Sequence, residues 1–481
     1  MPKANKQIFF LIGFFTLIRL VVAPLFGLGV DEAHYILYAK YLDWSYVDHP
    51  PLVGWTHAPF FYFLGTNEFL TRLPAILIFA AASYCAYLFI LRITQSIRLS
   101  LIAVLALNCS FMLNALGLML LPDSLLLLFV FLLIFIAERI DREKKPLDFI
   151  LLGVLLGLMG LAKYTSILLV PPLVIFFVMK KRYDVLFSPY MFLVVLIAFI
   201  LITPVIYWNI THDFISFRYQ GGHVFGTLAS SFKNFAESLA AQFGAYCPFL
   251  FIIAFYGFFK ALRSQSVYLR LAVLFGGTIM VFFLLTSSYE RTLPHWPSIF
   301  YLLFIPVGTC FLLRAQEKWK RNFLYFSVGF SLILTLFIYV ELAGKFFAFP
   351  DYQSPFRDIY GYPLITKEAN EIIKNDISAK PKAMAITNWT LGSRVGYYSL
   401  PYQREVYVID IRKDQFDLWE KKIPIGYDLL FLDSHFENKD IAAYARCNNT
   451  EVAGERDLIL NGSKVDSFKF IWCRNYQGVK Q

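Results

Sequence analysis

Residues 118–137, LMLLPDSLLLLFVFLLIFIA, decide the fold class of this chain. Asp123 is the one charged residue in this otherwise apolar segment. A run of about 20 apolar residues is the length that crosses the hydrocarbon core of a bilayer. Similar runs recur from the N-terminus to about residue 343. The sequence therefore predicts a polytopic membrane protein built from α-helices.

The composition of the whole chain points to the same class. Of the 481 residues, 58% are hydrophobic and 16% are charged, and the mean hydropathy is +0.57. Soluble domains carry roughly 25% charged residues, so a single water-soluble core is excluded. The net charge of +10 is spread over loops. Because no basic stripe interleaved with aromatic residues occurs, nucleic acid is not an expected partner.

We predict about eleven transmembrane helices and derive their orientation from the basic residues between them. Alternate connections hold 18 Lys and Arg residues on one side and 6 on the other. Cytoplasmic loops collect positive charge, so the N-terminus is predicted inside and the C-terminus outside. The short helix pair that breaks at Lys163 is needed for this alternation. The predicted helices cover residues 8–26, 68–91, 99–117, 121–138, 148–162, 164–179, 188–207, 240–260, 270–287, 297–313 and 323–343.

Two domains are expected, a transmembrane domain over residues 1–343 and an extracytoplasmic domain over 344–481. The first apolar run is long for a cleavable signal, so we interpret it as a retained helix. In the tail, the runs AMAITNW, REVYVID and YDLLFLD alternate with helix-like stretches such as ITKEANEIIKN. This pattern favours a small α/β domain. Cys447 and Cys473 are both in the tail and are able to pair if it faces an oxidising compartment.

Acidic residues at the predicted outer face are the first candidates for chemistry. Asp31 and Glu32 directly follow the first helix, and Asp123 opens another one. Ionisable groups at a membrane boundary often mark a functional site. The alternative is a structural one, because each acid also stands where a helix N-cap is expected.

Further polar residues are predicted on the same face as these acids. Asp48 and His49 precede Pro50-Pro51, which fixes an extended backbone. By themselves they are compatible with an ordered turn. A buried lysine needs an anionic partner, and the phosphate of a lipid carrier is one candidate. The alternative for the basic residues is that they snorkel to the interface. The remaining candidates for substrate binding are Arg72, Lys163, Tyr164 and His295.

Nucleotide chemistry is not supported by any motif in the sequence. Neither a G-x-x-x-x-G-K-[ST] phosphate loop nor a G-x-G-x-x-G fingerprint occurs. An enzyme that faces away from the cytoplasm without a nucleotide site needs an activated donor carried by the membrane. Two other classes remain open, a lipid or solute transporter or flippase, and a structural membrane protein with a protein-binding tail. The acids cluster at one face and the halves are unlike, whereas transporters often show inverted repeats.

Seven short motifs occur in an order that resembles the bacterial GT-C glycosyltransferases. This group is related to the dolichyl-phosphate-mannose protein mannosyltransferases and to the lipid A aminoarabinose transferases. The likeness covers residues 1 to about 300. The motifs are DEAHY at 31–35, DHPPLVGW at 48–55, RLP at 72–74, LPDS at 121–124, GLAKYT at 160–165, PVIYWN at 204–209 and LPHWP at 293–297.

The resemblance implies a GT-C-like fold and a polyprenyl-phosphate-linked sugar as donor. Transfer would take place on the non-cytoplasmic face of the inner membrane, to an acceptor that is lipid A, another glycolipid, a glycan or a protein. It further implies that Asp31 is the catalytic carboxylate, with Glu32 and Asp123 as further active-site acids in one outward cavity. His49 stands where the aminoarabinose transferases have a lysine before a proline, so the sugar and acceptor stay open.

The mechanism expected from this resemblance is an inverting displacement. Asp31 would accept the proton of an acceptor hydroxyl that attacks the anomeric carbon. Negative charge on the departing lipid phosphate would be stabilised by Lys163, Arg72 or His49, or by a divalent cation held by acids. No complete set of metal ligands is evident in the sequence.

Overall fold

The computed structural model describes residues 6–225, 230–410, 413–419 and 422–480. The chain divides into two compact units, each assembled from distant parts of the sequence. The first unit holds Met1–Ala23, Asp43–Val53 and Arg72–Ile338, and the second holds Pro24–Leu42, Gly54–Thr71 and Tyr339–Gln481. The predicted boundary at 343/344 lies close to the last junction. Pro24–Leu42 and Gly54–Thr71, which belong to the second unit, were predicted as part of the transmembrane domain.

Helices dominate the described part of the chain because long apolar runs satisfy their backbone groups internally. In chain order they are α1 Lys6–Val22, α2 Val30–Lys40, α3 Leu52–Leu64, α4 Glu68–Thr94, α5 Ile97–Asn108, α6 Phe111–Leu116, α7 Pro122–Glu143, α8 Pro146–Ala162, α9 Val170–Met179, α10 Tyr183–Leu186, α11 Pro189–Thr211, α12 Ile215–Phe225, α13 Phe232–Ala245, α14 Pro248–Ala261, α15 Val267–Thr286, α16 Ser298–Leu313, α17 Lys318–Gly344, α18 Tyr362–Asn375, α19 Trp389–Tyr398 and α20 Phe416–Trp419.

The eleven segments predicted as transmembrane helices are largely helical, but two of them are broken: 99–117 divides into α5 and α6, and 240–260 divides between α13 and α14. Within the described residues, four helices are long and apolar enough to cross a membrane, namely α4, α11, α15 and α17. The pair α13 and α14, bent by 104°, would make a fifth span if it counts as one. Shorter apolar helices of 10–17 residues cover Ile97–Asn108, Pro146–Ala162, Tyr164–Met179 and Ser298–Leu313, and α7, with 22 residues, is not among the four. The predicted number of spans and their orientation therefore stay predictions.

The predicted break at Lys163 is present. Helix α8 ends at Ala162, and Lys163 has an extended backbone with φ −155° and ψ 136°. A 3-10 turn, Tyr164–Leu169, then leads into α9. Pro171 and Pro172 stand in the first turn of α9, where the missing N–H groups of proline cost nothing. This local sequence places Lys163 at a helix junction.

The tail forms the predicted α/β fold around one mixed sheet. Its strands are β1 Lys382–Ile386, β2 Val406–Val408, β3 Asp428–Ser434, β4 Ala445–Leu460 and β5 Ser463–Val479, in the order β2-β1-β3-β5-β4. Strand β1 is parallel to β2 and β3, whereas β5 is antiparallel to β3 and β4. The first three strands coincide with the runs predicted from sequence. The long β4–β5 hairpin was not predicted.

Apolar side chains on one face of this sheet form the core of the second unit. Ile386, Leu430 and Phe470 pack there against Ile365 and Ile373 of α18. Cys447 of β4 and Cys473 of β5 form a disulfide, as the sequence had allowed. Helix α2 from the first loop also belongs to this unit and contacts α19. The second unit therefore includes the DEAHY motif.

Candidate active site

The first cluster of candidate residues is a buried ion pair in the first unit. Asp123 lies in the first turn of α7, directly after Pro122. Both of its carboxylate oxygens accept hydrogen bonds of 2.7 Å from Nζ of Lys163. Asp123 is 4% exposed and Lys163 is 5% exposed. The anionic partner that Lys163 needs is thus supplied, at least in part, by the protein itself.

His295 is the third member of this cluster. Its Nε2 lies 3.8 Å from Oδ2 of Asp123. The ring of the neighbouring Trp296 has its centroid 5.9 Å from Nζ of Lys163. Desolvation lowers the pKa of His295 to about 4; the charge of Asp123 opposes this shift and that of Lys163 reinforces it. The imidazole is therefore neutral at neutral pH, and the cluster as a whole carries no net charge.

Buried tyrosines hold the loop that carries His295. The hydroxyl of Tyr246 donates a 3.1 Å hydrogen bond to the carbonyl of Pro294. The ring of Tyr246 stacks on Tyr301 at a centroid distance of 3.6 Å. The backbone N–H of Thr292 donates to the hydroxyl of Ser238 at 3.1 Å. These contacts fix the loop on both sides, so His295 has a defined position relative to Asp123.

Tyr164, next to Lys163, is joined to the part of the first loop that belongs to the first unit. Its hydroxyl lies 3.2 Å from Oγ of Ser45. Gln220 of α12 donates a 2.6 Å hydrogen bond to the carbonyl of Asp48. The carbonyl of His49 accepts from the backbone N–H of Tyr46 at 3.2 Å. The DHPP segment is therefore an ordered turn held in the same unit as the ion pair.

Arg72, the second basic residue predicted beside Lys163, contacts the end of α1. Its side chain is fully buried, and Nη1 donates a 2.6 Å hydrogen bond to the carbonyl of Ala23, just beyond α1. A cation at a helix C-terminus interacts favourably with the unpaired carbonyls there. This contact gives Arg72 a structural task, so the interfacial snorkelling considered for it is not what the structure shows.

Asp31 and Glu32 belong to the second unit. Asp31 is half-buried in the first turn of α2. Glu32 is buried, and its Oε2 accepts a 3.1 Å hydrogen bond from the backbone N–H of Gly29. A carboxylate that reaches back to the residue before a helix stabilises its first turn. The capping role considered for this motif is thus filled by Glu32. The predicted common cavity of Asp31 and Asp123 stays a prediction.

His34, which the sequence indicated only as part of the DEAHY motif, is buried among aromatic rings. Its Nδ1 lies 3.0 Å from Oγ of Ser393 in α19. The centroids of the Tyr38 and Trp389 rings lie 5.2 and 5.1 Å from that of its own ring. This contact is one of those that tie α2 to α19. A histidine within an otherwise apolar stretch of a short helix was the available signal.

Another residue that sequence reasoning passed over is Arg19, near the end of α1. Its Nη2 donates to Oδ1 of Asn108 at 2.7 Å and to Oδ1 of Asn114 at 2.8 Å. The guanidinium lies 4.6 Å from the centroid of the Phe79 ring. An arginine within a predicted membrane span is itself a signal of a buried polar network.

An apolar cavity of about 610 Å³ lies in the first unit. It lies between α8, the 3-10 turn, α9, α11 and α12, and Tyr164 and Gln220 are among its few polar lining residues. Most of the wall consists of Leu, Ile, Val and Phe side chains. Because Tyr164 directly follows Lys163, the cavity and the ion pair share a stretch of backbone.

Among the described residues, no group of three or more His, Cys, Asp and Glu side chains is arranged to hold a metal ion. The divalent cation considered from sequence is not tested by this finding and stays a prediction.

Known proteins resemble this chain in both sequence and fold. The family model described as dolichyl-phosphate-mannose-protein mannosyltransferase matches residues 48–208. A lipid A galacturonosyltransferase, RgtD of Rhizobium johnstonii, is 24% identical over 247 residues, which is 49% of this chain and 50% of the relative. The match thus spans about half the length of this curated relative.

Crystal structures of ArnT from Cupriavidus metallidurans share the fold. The apo structure superposes with a TM-score of 0.64 and the structure bound to undecaprenyl phosphate with 0.66. Each covers 97% of this chain and 98% of ArnT at 14% sequence identity. Together these comparisons confirm the resemblance to the GT-C glycosyltransferases of the protein mannosyltransferase and lipid A aminoarabinose transferase group. The chain therefore has the predicted GT-C-like helical fold with a small C-terminal sheet domain.

Proposed function

We propose that this chain is a glycosyltransferase that moves a sugar from a polyprenyl-phosphate donor to lipid A. The observation that carries the proposal is the buried ion pair of Lys163 and Asp123 with the half-buried His295 beside it. A lysine at a helix junction, held by one carboxylate, is suited to meet a phosphate delivered from the membrane. RgtD, by its name, acts on lipid A, and ArnT has been captured with undecaprenyl phosphate. Nothing in these comparisons favours the transporter alternative.

Lys163 has the hydrogen-bonding capacity for this task. An ammonium group carries three N–H donors, and the two oxygens of Asp123 account for two hydrogen bonds. The third N–H is suited to the leaving phosphate, where negative charge grows during transfer. An anionic phosphate would also favour protonation of His295, which would then add a second charge-assisted hydrogen bond.

The apolar cavity beside Tyr164 suits the hydrocarbon chain of such a donor. Its lining is almost wholly aliphatic and aromatic, with Val194, Phe199 and Ile202 on α11. A polyprenyl chain that fills it would remove apolar surface from contact with water or lipid headgroups. The phosphate at the end of the chain would then lie near the Lys163 junction. We assign the polyprenyl chain to this cavity on that basis.

We keep Asp31 as the general base in an inverting displacement. It would accept the proton of the acceptor hydroxyl as the bond from the sugar to the donor phosphate breaks. Glu32, by capping α2, would hold Asp31 in place. Asp48 and His49 are proposed to contact the substrate. Arg72 is proposed to act indirectly, by holding the C-terminal end of α1 in place. The transferred sugar is a hexose or a pentose. In this scheme Lys163 donates a hydrogen bond to the leaving phosphate, and transfer measured with and without EDTA tests whether a divalent cation is also needed.

We further propose that the chain is a multi-pass inner-membrane protein with about eleven spans and an extracytoplasmic tail. The Cys447–Cys473 disulfide supports this side for the tail, because disulfides persist in oxidising compartments. Thiol-reactive reagents that do not cross the membrane test the orientation. In intact cells they are expected to label a single cysteine introduced in the tail and not one introduced in the 314–321 connection.

The function is tested by mass spectrometry of lipid A from cells with and without the gene. Loss of the gene is expected to remove a mass equal to one sugar residue, which names the sugar. Restoration requires the wild-type gene and fails with the Lys163→Met variant, whose abundance in the membrane is checked in parallel. Unchanged lipid A, together with a lost sugar on a protein or another glycan, would reassign the acceptor.

A further inference from the structure

A second pocket, of about 420 Å³, lies wholly within the second unit. Helix α2 supplies Leu37 and Lys40 to its wall, Tyr41 follows directly, and α19, α20 and the residues between them supply the rest. Helix α2 thus connects this pocket to Asp31, which lies in its first turn. Helix α2 is 11 residues long, so its two ends lie about 15 Å apart. None of the roles proposed above uses this pocket.

Aromatic rings form one side of the pocket. The ring of Tyr41 stacks on the ring of Trp419 at a centroid distance of 5.0 Å and an interplanar angle of 22°. Both side chains are half-buried. A sugar ring presents C–H groups on its faces and hydroxyls around its edge, so an aromatic wall bordered by polar groups suits it.

Two cations border this aromatic wall. Nζ of Lys40 lies 4.6 Å from the centroid of the Tyr41 ring. Arg404 makes only long hydrogen bonds, of 3.4 Å each, to Oδ1 of Asn370 and to the carbonyl of Lys382. Within the described part of the chain, neither cation has a carboxylate oxygen within 4.0 Å. Both positive charges are therefore available to a ligand.

One carboxylate also lines the pocket. Glu405 accepts a 2.9 Å hydrogen bond from the hydroxyl of Tyr407 through Oε2. The described lining holds two basic side chains, Lys40 and Arg404, and one carboxylate, so its formal charge is positive by one. Gln403 and Ser399 add neutral hydrogen-bonding groups. Aromatic faces, hydroxyl partners and an excess positive charge together fit an anionic sugar.

We infer that this pocket binds a phosphorylated sugar of the acceptor while the acceptor hydroxyl is presented for transfer. The inference rests on the proposed function, because it takes the acceptor to be a phosphorylated glycolipid. It adds a recognition site for the acceptor headgroup, with Lys40 and Arg404 as the residues that select negative charge. A uronic acid from the donor is also negatively charged and is distinguished by the experiment below.

Binding is measured by NMR titration of the purified full chain in detergent, without any donor. N-acetylglucosamine 1-phosphate is expected to bind at least about 10-fold more tightly than N-acetylglucosamine, because the phosphate gains charge-assisted hydrogen bonds. Lys40→Gln and Arg404→Gln should each remove most of this difference, whereas Arg404→Lys should retain it. Glu405→Gln should tighten binding of the phosphorylated sugar. Lys374→Gln, on the exposed face of α18, is the matched control and should change nothing.

Equal affinity for the two sugars, or equal affinity in wild type and both charge variants, would overturn the inference. Tighter binding of galacturonate than of N-acetylglucosamine 1-phosphate would also overturn it, by assigning the pocket to a donor sugar. The titration does not depend on catalysis. If transfer fails while charge-selective binding persists, the proposed function fails alone; if transfer occurs without such binding, this pocket fails alone.

Discussion

Replacing Asp123 by Asn removes the anionic partner of a buried lysine and is expected to destabilise the protein strongly. Nζ of Lys163 is 2.7 Å from both carboxylate oxygens, and neither side chain is more than 6% exposed. Removal of one partner of such a buried pair costs about 3–5 kcal/mol, since it leaves an uncompensated charge. Lys163→Met should cost a similar amount, because it leaves the carboxylate of Asp123 buried alone.

The double variant Asp123→Asn/Lys163→Met separates stability from activity. Because no buried charge remains, its stability should lie well above the sum expected from the two single variants, with a coupling energy of at least about 2 kcal/mol. The two variants that lack Lys163 should nevertheless lose transfer, since Lys163 is assigned to the donor phosphate.

Unfolding is followed by circular dichroism in mixed detergent micelles, and transfer is measured with a labelled donor. Glu371→Gln, which breaks the exposed Lys367–Glu371 pair of α18, serves as the control and should cost less than about 0.5 kcal/mol. Additive effects of the two single variants would refute the buried pair. Full transfer by the double variant would refute the role of Lys163.

Three further predictions concern the second unit. Asp31→Asn should lower kcat by at least about 100-fold without a change in the unfolding transition, because it removes a general base and keeps the shape of the side chain. Rates within a factor of about 3 of wild type would show that Asp31 is not the general base. Cys447→Ser should destabilise the second unit by about 3 kcal/mol, given the 26 residues that separate the cysteines, and reducing agent should reproduce the effect in the wild type but not in the variant. Burial raises the pKa of Asp414 to about 6, so this carboxyl binds its proton more tightly in the folded state than in the unfolded state. The free energy of unfolding should therefore decrease as the pH rises from about 4 to 6 and stay low at higher pH. Asp414→Asn should remove that loss and stabilise the protein at pH 7.5, which denaturation at a series of pH values will check.

Runs of apolar residues were sufficient to place most of the helices. The eleven predicted segments are largely helical, although 99–117 and 240–260 are each broken into two helices, and the break at Lys163 follows from its place between an apolar run and Pro171-Pro172. The first three strands of the tail were also recognisable, because each is a short run of β-branched and aromatic residues. These features depend on neighbouring residues, and the sequence contains that information directly.

Long-range contacts could not be inferred in this way. The pairing of Asp123 with Lys163 joins residues 40 positions apart, and the sequence indicated only that Lys163 needed some anion. The contact of Arg72 with the carbonyl of Ala23 involves the backbone, which carries no sequence signal. Residues 24–42 and 54–71 join the tail through packing across some 300 positions, which no local pattern can encode.

The β4–β5 hairpin was missed for a different reason. Strand β4, with the sequence ARCNNTEVAGERDLIL, is mostly exposed and polar, so it lacks the alternation that identified the other strands. Its place in the sheet depends on its ladder with β5 and on Asn461-Gly462, whose positive φ angles form the turn.

The central claim is tested most directly by transfer in a purified system. The full chain in proteoliposomes is incubated with lipid A and a polyprenyl-phosphate sugar labelled in the sugar. We predict that the label appears on lipid A with inversion at the anomeric carbon, and that neither Asp31→Asn nor Lys163→Met supports the reaction. Movement of the labelled donor across the bilayer with no label on lipid A would contradict the account.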